Sequence, residues 1–124
     1  MTQTLDLTAA ARADIVALLQ WSAETFGDRA RDRNAALIAT GLEDLRRDPR
    51  CFGSLERAEL QPGLRTYHLR HCRRRAIASQ DAVKSPRHFF AYRTPTSAHV
   101  LILRVLHDAM EVVGHLQTPT DDAD

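Results

Sequence analysis

The chain has 124 residues, 44% of them hydrophobic and 27% charged, a composition that excludes disorder and collagen-like repeats and suits one folded domain. No apolar run approaches the roughly 20 residues that span a bilayer. Met1–Asp6 lacks the basic and apolar stretches of a secretory leader, so a cytoplasmic protein without a membrane partner is expected. The net charge of +1 conceals a division. Residues 1–48 sum to −2, residues 49–107 to +8 and residues 108–124 to −5, and sixteen of the seventeen basic residues are arginine. Arginine suits planar, bidentate recognition of carboxylates and phosphates, which points to an anionic partner.

Gln3–Leu7 alternates polar and apolar residues and predicts a short first strand. Thr8 then offers an N-cap ahead of Ala9-Ala10-Ala11. Ile15, Leu18, Leu19, Ser22 and Phe26 recur at the spacing of one buried helical stripe, and Trp21 and Phe26 read as core or hairpin packing. Gly27 ends this helix and Asp28 starts another, with the stripe Ala30, Leu37, Ile38, Gly41, Leu42 and Leu45. Asp48-Pro49 closes it, because the residue before a proline is driven out of the helical region. Two helices with so short a joint form an αα-hairpin.

After residue 48 the period changes. Residues 49–63 read as an irregular connection and Leu64–His71 as a strand. Cys72 to Pro86 reads as a long polar loop in which Arg73-Arg74-Arg75 is solvated. Arg87–Arg93 is an aromatic-rich strand, Thr94–Ser97 a tight turn, and His99–His107 the most apolar segment. Strict alternation there would put Val100, Ile102 and Leu106 on one face and Leu101, Leu103 and Val105 on the other, so both faces need cover. The hairpin covers one face. The other calls for a short C-terminal helix with an Asp108 N-cap, Met110, Val113 and Leu116, or for another protein. The expected fold is therefore α+β, an N-terminal αα-hairpin packed on a small antiparallel sheet in the order β-α-α-β-β-β. Residues 1–118 make one domain, and 119–124 a frayed acidic tail.

Several local features carry a family resemblance. Phe26-Gly27 joins the helices, and Pro62-Gly63-Leu64-Arg65 enters a strand ending Leu69-Arg70-His71. Arg87-His88-Phe89-Phe90-Ala91-Tyr92-Arg93 looks like an "RHF-x-x-YR" strand, and Ile102–Glu111 like an "I-L-R-V-L-H-x-x-M-[DE]" ending. In this order they resemble the RelE/ParE family of bacterial type II toxins, with the ParE branch closer. The resemblance implies a growth-inhibiting toxin neutralised by a cognate antitoxin, ParD-like, with a ribbon-helix-helix part and an acidic tail, in a hetero-oligomer. ParE-like toxins act on DNA gyrase and block replication. RelE-like toxins cleave mRNA in the ribosome.

The fold is shared by both branches, so the site residues must discriminate. RNA cleavage through the 2′-hydroxyl needs a base, an acid and cationic stabilisation. Arg65, Arg70, Arg93 and Arg104 would supply charge, His107 or His71 proton transfer, and Tyr92 a stacking face. Against this, the sole lysine, Lys84, lies in a loop and no aromatic follows Tyr92, so no catalytic residue is expected and a gyrase-binding protein is favoured. Antitoxin or target contacts are expected at Arg65, Arg70, Arg93, Arg104, His107 and Met110. Arg104 also reads as a structural partner of Asp108 or Glu111. His68, His71 and Cys72 fit no zinc framework, so neither metal nor cofactor is expected.

Overall fold

The computed structural model describes residues 3–76, 82–110 and Leu116. Strand β1 (Thr4–Leu7) leads into helix α1 (Ala9–Phe26), and Gly27, at φ +94°, joins it directly to helix α2 (Asp28–Arg47). Strands β2 (Ser54–Glu56), β3 (Arg65–His68), β4 (His88–Thr96) and β5 (His99–His107) follow, with a 3-10 turn at Leu69–Cys72. The Thr8 hydroxyl caps α1 by accepting from Ala11 N–H at 3.0 Å, and Asp48 ends α2 in extended geometry. The hairpin therefore forms where capping and proline rules place it.

The five strands form one sheet in the order β1-β5-β4-β3-β2. It is mixed rather than antiparallel, because β1 runs parallel to β5, pairing Thr4 with His99 and Leu7 with Ile102. The connection between these two strands runs through both helices and strands β2 to β4, far more than the length a parallel pairing requires. β2, in the stretch expected to be irregular, pairs Ser54 with Tyr67 and Glu56 with Arg65. Three residues are too few for an alternation to register in sequence. The strand expected over 64–71 stops at His68, where the ring Nδ1 accepts Arg70 N–H at 3.1 Å and starts the 3-10 turn. The turn expected at 94–97 shifts to Ser97–Ala98. A register irregularity between Arg93 and Thr96 absorbs Pro95, which cannot donate to a ladder.

One face of the sheet packs on the hairpin through Tyr67, Leu69, Phe90, Tyr92, Val100 and Ile102. Leu64, Phe89, Ala91, Leu103 and Leu106 form a second cluster on the other face, against which Leu116 packs. The strict alternation expected for β5 fails at one place. Ala91 pairs with Arg104 but Tyr92 with Ile102, so Leu103 is an extra residue, a β-bulge. Past it the faces exchange, and Val105 turns toward the hairpin while Leu106 turns away. The expected C-terminal helix and the tail at 119–124 lie outside the described residues.

Two further expectations change. Phe26 and Trp21 are not core residues. They are 65% and 54% exposed and meet edge to face, with ring centroids 5.5 Å apart. The arginine run is not simply solvated either, since Arg75 holds Asp44 with two bonds of 2.7 Å and Arg73 Nε donates to the Val83 carbonyl at 2.7 Å. Asp44 also accepts the Tyr67 hydroxyl at 2.8 Å.

Gly41 is where α2 meets the sheet most closely. A Cβ there would lie 2.7 Å from Leu69 Cδ2 and 2.8 Å from Phe90 Cε2. Gly41→Ala should therefore lower unfolding stability by about 1–3 kcal/mol despite alanine's better helix propensity, as urea denaturation would measure.

Candidate partner-binding surface

The expected residues separate into three places. The first is the end of the sheet where β3 begins and β4 departs. Arg50, Arg65 and Arg93, with Glu56, line a pocket of about 180 Å³ beside Gly63 and Pro95. Arg65 pairs with Tyr92 across the β3–β4 ladder, and its Nε donates to Ser54 Oγ at 2.9 Å. Arg93 is held by the Pro62 carbonyl at 2.5 Å and by Gln61 Oε1. Both guanidinium groups are thus positioned by neutral acceptors, and Glu56 is the one acid that lines the pocket with them. Tyr92 is fully buried behind them. Its hydroxyl donates to the Pro49 carbonyl at 2.5 Å and meets Ser54 Oγ, tying the 49–54 connection to β4. Burial raises the pKa of this phenol against the opposing bonds from Ser54 and Arg65, and the ring is enclosed rather than presented for stacking.

The second place is a groove of about 570 Å³ on the sheet face away from the hairpin. Leu55, Leu60, Phe89 and Met110 supply its apolar lining, and Arg57 and Arg70 its positive charge. His68 and Asp108 close one end, with His68 Nε2 3.1 Å from the carboxylate. Arg87 Nε binds the same carboxylate at 3.1 Å. These bonds, Arg87's first, hold the Asp108 carboxyl down at about 2. Burial lowers the His68 pKa despite Asp108, and His71 is lowered by burial and the nearby Arg70 charge. His107 packs edge to face on His88 at 5.2 Å, and its Nδ1 accepts Ala109 N–H at 3.1 Å. Burial and the adjacent His107 push His88 down to about 4.

The third place is the outer edge of β5, where Arg104 Nε and Nη2 reach Asp14 on α1 at 2.8 and 2.9 Å. Asp14, rather than the expected Asp108, is a carboxylate partner of Arg104 among the described residues, and Glu111 lies outside them. Both side chains are under one-fifth exposed. The structure therefore brings Arg65 and Arg93 together, sets Arg70 and Met110 in the separate groove, and places Arg104 and His107 elsewhere. Arg50, Arg57, His68 and Asp108 line these surfaces and were missing from the expected set. The Pro62-Gly63 corner is the one sequence signal that pointed toward the pocket, because it folds the chain back and sets Glu56 beside Arg65 on one hairpin. The Cys72 thiol, raised by burial to about 11, turns inward to the Leu69 carbonyl. Among the described residues no group of three or more His, Cys, Asp or Glu could hold a metal, and no helix is long and apolar enough to cross a membrane.

The hairpin, the mixed sheet and this arginine-lined end frame the family comparison. Residues 5–112 match the model of the ParE toxin of the type II toxin-antitoxin system parDE. The chain belongs to the ParE toxin family. The match takes in both helices and all five strands except Thr4. No curated protein matches the chain. As a member of this family the ParE chain is the toxin half of a type II module, and a protein antitoxin is its partner.

The histidines at the groove end of this ParE toxin couple its stability to pH. His88 is neutral when folded down to about pH 4, whereas in the unfolded chain it protonates near pH 6.5. Between those values the unfolded state binds more protons, so stability is complete above pH 6.5 and falls as pH drops toward 4. His68 and His71 shift in the same direction. Thermal melts from pH 7.5 to 4 should show this loss, and His88→Gln should flatten much of the slope.

Proposed function

We propose that this ParE toxin arrests growth by binding DNA gyrase and blocking replication, without chemistry of its own. Its antitoxin is a ParD-like protein whose acidic tail meets the Arg50–Arg65–Arg93 pocket. The observation that carries this reading is the deployment of the polar groups. The Tyr92 hydroxyl is buried against Pro49 and Ser54. Arg104 is engaged by Asp14, and His107 Nδ1 is occupied by a backbone N–H. At the pocket three guanidinium groups stand beside a single carboxylate, a site fitted to grip anionic side chains. Location in the cytoplasm accords with such a target.

Ribosome-dependent mRNA cleavage is the competing reading, favoured by the juxtaposition of His68, His71, Arg57 and Arg70 in the groove. Both nitrogens of His68 are already bonded, one to Asp108 and one to Arg70 N–H, which weighs against it as a proton shuttle. The purified toxin should inhibit gyrase supercoiling and accumulate cleaved DNA, while in vitro translation with primer extension should reveal no new mRNA ends. New ends with unaffected gyrase would reverse the assignment. Arg65→Glu and Arg93→Glu should each weaken antitoxin binding by about tenfold or more, measured by titration calorimetry, with a steep salt dependence in the native pair.

A further inference from the structure

The outer face of α1 differs in composition from that of α2. α2 exposes Asp28, Arg29, Asp32 and Arg47 to solvent. α1 instead exposes Ala13, Val16, Ala17, Gln20 and Trp21 over its central turns, with Val16 at 62% and Trp21 at 54% exposure. A helix that is apolar on its outer as well as its inner side is normally covered on both. Two charges flank this strip, Arg12 toward its N-terminal end and Glu24 toward its C-terminal end, and both are exposed.

We propose that the outer face of α1 is a self-association surface on which two copies of the chain pair antiparallel about a two-fold axis at the level of Leu18. The arrangement of charge selects this occupant. Reversal about Leu18 exchanges positions 12 and 24, so each Arg12 stands opposite the other copy's Glu24. Such a surface is complementary to itself, the requirement of an isologous dimer. An acidic antitoxin tail or a nucleic acid would call for an excess of positive charge, and this face carries one charge of each sign. Ala13 and Ala17 have side chains small enough for close helix approach. Val16 of one copy falls opposite Gln20 of the other, and the Trp21–Phe26 pair flanks the seam. The arginine pocket lies on the sheet, formed by residues from 50 to 95, so the surface is separate from the antitoxin and gyrase reading and independent of it.

The test is sedimentation equilibrium of the purified full-length chain over a wide concentration range. The native chain should form a dimer, and Ala17→Arg should yield a monomer with unchanged circular dichroism. Arg12→Glu and Glu24→Arg should each weaken the dimer about tenfold or more, because each sets like charges face to face. The double variant Arg12→Glu/Glu24→Arg should restore it. A native chain that is monomeric throughout, a dimer indifferent to Ala17→Arg, or a double variant no better than its single parents would each overturn the proposal. These three exposed sites leave the core intact, so the reading does not depend on a variant that fails to fold.

Discussion

One carboxylate governs how the helices meet the sheet. β1 covers the edge of β5 only as far as Ile102, and beyond that point the N–H and C=O groups of the longest apolar strand would face outward unpaired. The chain closes this edge with α1. The Thr8 hydroxyl donates to the Leu103 carbonyl at 2.7 Å. Asp14, two turns into the helix, accepts Val105 N–H at 2.9 Å and the Arg104 guanidinium beside it. An open strand edge is thereby satisfied by side chains instead of by another strand. Because Thr8 and Asp14 sit on one helix, the same bonds set where α1 lies across the sheet. The bulge at Leu103 falls within this stretch, so edge closure and the exchange of faces occur together.

This arrangement explains why sixteen arginines do not amount to sixteen binding residues. Arg104 and Arg75 are held by carboxylates of the helices, and Arg87 by Asp108. Arg65 and Arg93 are fixed by neutral oxygens, and so their charge reaches the surface while their geometry stays constrained. A guanidinium positioned in this way loses less freedom on engaging a partner's carboxylate than a solvated one would. An arginine oriented by a carboxylate is neutralised in place, whereas one oriented by neutral oxygens keeps its charge.

Much of the fold was legible in the residues. The Thr8 cap, the Gly27 joint and the Asp48-Pro49 stop delimit the helices, and the stripe from Ala30 to Leu45 is the buried face of α2. What escaped was non-local. Alternation assigns a face to each residue of a strand only while the register is regular, and nothing in Leu103-Arg104 announces a bulge. Asp14 and Arg104 stand 90 positions apart, and their pairing follows from the parallel β1–β5 contact, which periodicity does not encode. Helical spacing likewise brought Phe26 into the α1 stripe, although the stripe runs past the end of the sheet that could cover it. For the site, the arginines were visible as a cluster in composition, but which of them converge was decided by β-pairing and by the corner at Gly63.

The mixed sheet also dictates an order of assembly. β5 is the fourth strand after the helical hairpin in chain order, yet it lies beside β1, and Thr8 meets Leu103 across 95 positions. Contacts of such long range close late in folding. During synthesis the paired helices emerge well before the strand that buries their stripe, leaving an apolar surface bare until β5 has been made. The nascent polypeptide therefore passes through a stage prone to association. The arginine-lined end made by β3 and β4 is joined to β1 only through β5, so the sheet is whole only when that strand arrives.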